Sequence, residues 1–97
     1  MKIGVIASFK AQPGQRAQLV AALQENIAVV RANEPDCLRC DVFTSIGHDE
    51  QVSLVEIYAS EAAFEAHRTA PYGAELFARV KPYMGGMPVA DRFHVVE

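Results

Sequence analysis

The chain has 97 residues, 51% hydrophobic and 22% charged, which is apolar enough for one buried core and not polar enough to read as disordered. A net charge of −3, with the nine Lys and Arg scattered singly, supplies no basic stripe and argues against nucleic acid as a partner. The opening run from Met1 to Ser8 is too short for a signal-peptide core or a membrane span, so a cytoplasmic protein with no membrane partner is expected, as a single domain over residues 1–97.

From Ile3 to Lys10 the apolar residues alternate, Ile3, Val5, Ala7 and Phe9 on one face, which predicts a first strand. Gln12-Pro13-Gly14 breaks it. From Gln15 to about Asn33, Leu19, Val20, Leu23, Ile27 and Val30 recur at helical spacing, and Pro35 ends that helix because its ring disfavours helical geometry at the residue before it. A strand over Cys37–Ile46, a turn at Gly47-His48-Asp49-Glu50 and a strand over Gln51–Ala59 read as a hairpin. Ser60 is placed to cap a helix from Glu61 to about Ala70, ended by Pro71, and a further helical piece spans about Gly73–Tyr83. After Gly85-Gly86 a last strand covers Val89–Val96. The order strand, helix, strand, strand, helix, strand predicts a ferredoxin-like α+β fold, a four-stranded antiparallel sheet with helices on one face.

In the third strand Val52 and Leu54 share one face while Val55 and Ile57 share the other, so both faces are apolar. Helices cover only one face of such a sheet. The least demanding cover for the other is the same face of a second copy, and a homodimer is expected.

His67 shares a helical face with Phe64, beside Ala63 and Ala70, and should point inward. An imidazole among small neighbours is suited to proton transfer near neutral pH, although a core histidine bonded to a backbone carbonyl is the plainer alternative. Asn26 falls about 20° outside the apolar arc of the long helix, where an amide needs either a polar partner or water. Glu56 and Tyr58 share a face of the third strand, and Tyr72 and Tyr83 flank the third helical piece. With Phe43, Phe64 and Phe77 they are candidates to line a pocket for a flat or cyclic small molecule, the alternative being ordinary core.

Cys37 and Cys40 form a Cys-x-x-Cys within Cys-Leu-Arg-Cys-Asp-Val-Phe, a strand pattern. Three residues apart in a regular strand they point to opposite faces, so two reduced thiols are expected in place of a redox pair or zinc site. His48, His67 and His94 show no ligand spacing, and no phosphate loop, nucleophile elbow or dinucleotide fingerprint is present. Neither a metal nor a cofactor is expected.

Pro13-Gly14 before the long helix, Glu34-Pro35-Asp36-Cys37-Leu38-Arg39-Cys40-Asp41-Val42, and the run from Val55-Glu56-Ile57-Tyr58-Ala59-Ser60 through Phe64 and His67 to Pro71-Tyr72 together resemble the antibiotic biosynthesis monooxygenase family. The likeness covers nearly the whole chain, and its most specific part is the strand, helix, inward His and following Pro in that order. The resemblance implies a ferredoxin-like monomer that pairs through its sheets into a dimeric α+β barrel. It also implies one of several chemistries: oxidation of quinols or polycyclic phenols by O₂ without metal or flavin, haem opening, or isomerisation of a phosphorylated signalling molecule. The chain lacks the Trp that haem-degrading and several polyketide-oxidising members carry, and has Tyr72 where a second His often follows the Pro.

The expected function is therefore a cofactor-independent monooxygenase of a small quinol or phenol, using O₂. His67 would be its base, and Asn26 and Tyr72 would hydrogen-bond the oxygen that becomes negative. Two alternatives stay open. One is an isomerase of a small hydroxy-ketone, phosphorylated or not, with Arg31, Arg39 and Arg68 available at the pocket mouth; the other is a non-catalytic dimer that shelters an apolar ligand.

Overall fold

The computed structural model describes residues 1–97. It contains β1 (Ile3–Lys10), α1 (Arg16–Asn33), β2 (Cys37–Thr44), β3 (Gln51–Tyr58), α2 (Glu61–Arg68), α3 (Gly73–Val80) and β4 (Val89–His94), with a 3₁₀ turn at Lys81–Tyr83. The strands form one sheet in the order β2-β3-β1-β4, with every neighbouring pair antiparallel. This is the ferredoxin-like α+β arrangement.

Local chemistry fixes the joints. Gly14 holds φ +74, a backbone region open to glycine, and turns the chain from β1 into α1. Ser60 Oγ accepts the Ala63 N–H at 3.1 Å and caps α2. Pro82 has no N–H to continue the α3 ladder, so the expected helix to Tyr83 finishes as a 3₁₀ turn. Strand β2 stops at Thr44, short of the expected Ile46, and in the turn that follows the Arg16 guanidinium donates to the carbonyls of Ser45 (2.9 Å) and His48 (3.0 Å), with Ile46 in solvent. Helix α2 closes at Arg68 where Thr69 bonds back to the Glu65 carbonyl, and β4 ends at His94 although Val95 N–H still reaches the Lys2 carbonyl.

The hairpin register carries one correction. Cys37 pairs with Tyr58 and Arg39 with Ile57, so Leu38 is an extra residue, a β-bulge. The bulge shifts the alternation by one and brings Cys37 and Cys40 to the same, helix-covered face, against the expectation that they point apart. Both are free thiols.

Strands β1 and β3 turn Ile3, Val5, Phe9, Val52 and Tyr58 toward the helices, where all five are buried. The core has two parts. One gathers Phe9, Leu19, Leu23, Val52, Val80 and Met84; the other gathers Ile3, Val5 and Tyr58 beneath Phe64. On the opposite face Ile6, Phe43, Val89 and Phe93 are exposed, and no helix covers them. No helix is long and apolar enough to cross a membrane.

Candidate functional site

Between the two parts of the core, under α1, α2 and α3, lies a cavity of about 480 Å³. Its walls include Val5 from one part and Phe9, Leu23 and Val80 from the other, and thirteen of its eighteen lining residues are hydrophobic. Few polar side chains interrupt them, chiefly Asn26 from α1, Glu56 from β3, His67 from α2 and Arg92 from β4. A mostly apolar hollow with a few convergent polar groups is the usual form of a small-molecule site.

His67 reaches this cavity from the last turn of α2, and its Nδ1 is taken from outside. The Glu34 carboxylate sits 2.9 and 3.0 Å from Nδ1 through its two oxygens. Glu34 caps the C-terminus of α1 directly before Pro35, which ends the helix and turns the chain toward β2. Tyr72, just past α2, donates its hydroxyl to the same carboxylate. A carboxylate that accepts from Nδ1–H leaves Nε2 as the basic nitrogen, so the imidazole is held in the tautomer a general base needs. The same charge stabilises the imidazolium once a proton arrives. Burial and the bond to Glu34 push the Tyr72 phenol up to about 12, so it stays protonated as a donor.

A second acid lies on the sheet. Glu56 is buried, and desolvation raises its carboxyl above the ordinary carboxylate range, against the opposing pull of His67 and a hydrogen bond from Tyr58. The Tyr58 hydroxyl donates to Glu56 Oε1 at 3.0 Å, and its ring packs 5.2 Å from His67 and 5.6 Å from Phe64. Burial raises the Tyr58 phenol as well. Asn26 donates from Nδ2 to the Leu76 carbonyl at 2.9 Å, which joins α1 to α3, while its Oδ1 is buried without a partner. Burial pushes the Cys40 thiol, which lines the cavity, up to about 12 and keeps it from acting as a thiolate.

Of the residues singled out from sequence, His67, Asn26, Glu56, Phe64 and Phe77 line the cavity together. Tyr58 stands behind Glu56 as its donor. Tyr72 is directed to Glu34 instead of the cavity, and serves His67 through that carboxylate. Asn26 spends its donor Nδ2 on the Leu76 carbonyl and its unpaired Oδ1 is buried, whereas a donor to a developing oxyanion was expected. Phe43 is not brought to the site: it pairs with Ser53 on the opposite sheet face, half exposed. Tyr83 packs beside the Leu19 part of the core, away from the lining. Of the three arginines considered for an anionic substrate, Arg31 binds the Cys40 carbonyl, Arg39 pairs with Asp41 and Arg68 with Glu65.

Two residues escaped the sequence reading. Glu34 belongs to the site through its position before Pro35, a signal that read only as a helix stop. Arg92 belongs through strand alternation, since Val89, Asp91 and Phe93 take the outer face and leave Arg92 opposite Val5 on the inner one.

The sequence profile described as antibiotic biosynthesis monooxygenase matches residues 2–79. The chain belongs to that family. A Caulobacter crescentus CB15 structure bearing the family's name superposes with a TM-score of 0.91 at 33% identity, over 99% of this chain and 91% of the other. The Mycobacterium tuberculosis protein Rv0793 gives a TM-score of 0.85 at 26% identity, over 100% and 97% of the two chains. The Shewanella oneidensis protein SO0527 gives 0.84 at 28%, over 97% and 90%. No protein of curated function matches the chain. Family membership gives a monooxygenase-like function in general terms, and the substrate and the roles of individual residues rest on the site itself.

Proposed function

We propose that the chain is a cofactor-independent monooxygenase of a small quinol or phenol, with His67 as its general base. The observation that carries this reading is the Glu34–His67 pair, which fixes the Nδ1 side of an imidazole that lines an apolar cavity. His67 Nε2 removes the phenolic proton, and the resulting anion is electron-rich enough to react with O₂ directly. Carbon–oxygen bond formation next to the anionic oxygen gives a peroxide, which takes the proton back from the imidazolium. Loss of the ring C–H proton with cleavage of the O–O bond then leaves a new carbonyl and releases water. One quinol and one O₂ thus give one hydroxyquinone and one water, all four electrons coming from the quinol.

The other polar groups have matching tasks. Glu56, whose carboxyl burial pushes above the ordinary carboxylate range, supplies a hydrogen-bonding group on the sheet side of the cavity. Asn26 ties α1 to α3 through the Leu76 carbonyl and so shapes the cavity wall. Tyr72 steadies Glu34, and Phe64 and Phe77 hold the ring. A homodimer belongs to the same proposal, because pairing through the outer sheet face would cover Ile6, Phe43, Val89 and Phe93.

The test is product analysis after turnover of 1,4-dihydroxynaphthalene under isotopically labelled O₂. A hydroxyquinone carrying one labelled oxygen is expected. A product whose added oxygen comes from water, or simple two-electron oxidation to the parent quinone, would overturn the proposal.

A further inference from the structure

Arg92 is the one arginine that lines the cavity, and it takes part in no hydrogen bond or ion pair with the protein, unlike Arg31, Arg39, Arg68 and Arg79. Its guanidinium carbon lies 5.4 Å from the centre of the Phe64 ring. Stacked in that way a guanidinium is held by one face while its N–H edge remains free to fork onto a planar anion. Glu65, the carboxylate that feels its charge, is bonded to Arg68.

The position of Arg92 is as informative as its freedom. A second, polar groove of about 500 Å³ runs along β4 and shares Phe64, Ala90 and Arg92 with the apolar cavity. Arg92 therefore borders both the apolar cavity and the polar groove. Glu61 and Asp91 also border the outer groove and leave Arg92 unbonded. A free cation bordering a mostly apolar cavity describes a ligand with an apolar ring and an anionic group.

We infer that the site takes a hydroxyaromatic carboxylate, its ring in the apolar cavity, its hydroxyl toward His67 and its carboxylate forked by Arg92. The inference rests on the proposed monooxygenase reading and adds the anionic group to the substrate. Because Arg92 is exposed, the gain is that of a partly screened charge-assisted bond, about five- to tenfold in affinity.

Equilibrium binding without turnover separates this inference from the oxygenase reading. Titration calorimetry under argon would compare 6-hydroxy-2-naphthoate, whose hydroxyl and carboxylate lie at opposite ends of the ring system, with 2-naphthol on the wild type, Arg92→Gln and Arg92→Lys. Arg92 lies on an edge strand, so the variants should fold, and circular dichroism checks this. The expected result is a five- to tenfold preference of the wild type for the carboxylate that shrinks at high salt, vanishes in Arg92→Gln and is partly kept in Arg92→Lys. Equal binding of the two compounds, or a preference that survives Arg92→Gln, would overturn the inference and leave the oxygenase proposal standing. Binding of neither compound would overturn the inference too, and oxygen uptake with uncharged quinols would then decide the oxygenase proposal by itself.

Discussion

Replacing Glu34 by Gln keeps the shape of the side chain and removes its charge, at a position outside the cavity lining. In the wild type the carboxylate lies within 3.0 Å of His67 Nδ1, with side-chain exposures of 13% for Glu34 and 26% for His67. Two unit charges about 4 Å apart interact by about 4 kcal/mol at an effective dielectric constant near 20. Partial exposure reduces that to roughly 2–3 kcal/mol of stabilisation for the imidazolium formed at proton transfer. At about 1.4 kcal/mol per factor of ten, Glu34→Gln should lower kcat about a hundredfold and move KM little. Steady-state oxygen consumption, with circular dichroism to confirm folding, provides the assay. An unchanged kcat in a folded variant would refute the role given to Glu34, and a loss confined to KM would place Glu34 in substrate binding instead.

Leu19→Ala, at a fully buried core position, should cost about 3 kcal/mol and lower Tm by roughly 12–20 °C in a thermal melt; a cost under about 1 kcal/mol would contradict the packing of α1 on the sheet. Glu56 has its folded pKa raised above an unfolded value near 4.5, so the stability linked to its proton is fully present below about pH 4.5 and is lost as pH rises through the folded pKa. Glu56→Gln, which carries no charge, should therefore gain on the wild type in urea melts as pH rises from about 4.5 to 7.5, and a gap independent of pH would refute the burial of that carboxyl. Phe93→Glu on the outer sheet face should turn the proposed dimer into a monomer by light scattering, whereas a wild type already monomeric at micromolar concentration would end the dimer proposal.

The fold was legible because its signals are periodic. Alternation in β1 and β3, helical spacing from Leu19 to Val30 and the stops at Pro35 and Pro71 each fix an element locally, and the element order points to the topology. The site was legible where a polar residue breaks an apolar pattern, as His67 and Asn26 do. It was obscured where tertiary geometry decides. The bulge at Leu38 reverses the facing of Cys37 relative to Cys40, and nothing in Cys-Leu-Arg-Cys announces an extra residue. Glu34 lies 33 positions before His67, and only the folded chain brings the two together. Phe43 and Phe64 are equally aromatic in sequence, yet the sheet places them on opposite faces.

The most direct measurement is oxygen uptake by purified, metal-free protein offered a panel of hydroquinones and naphthols, with His67→Ala alongside. A cofactor-independent oxygenase with His67 as base predicts uptake by the wild type and its loss in the folded variant. Uptake that persists in His67→Ala would contradict the base, and no uptake above background with any compound would contradict the oxygenase.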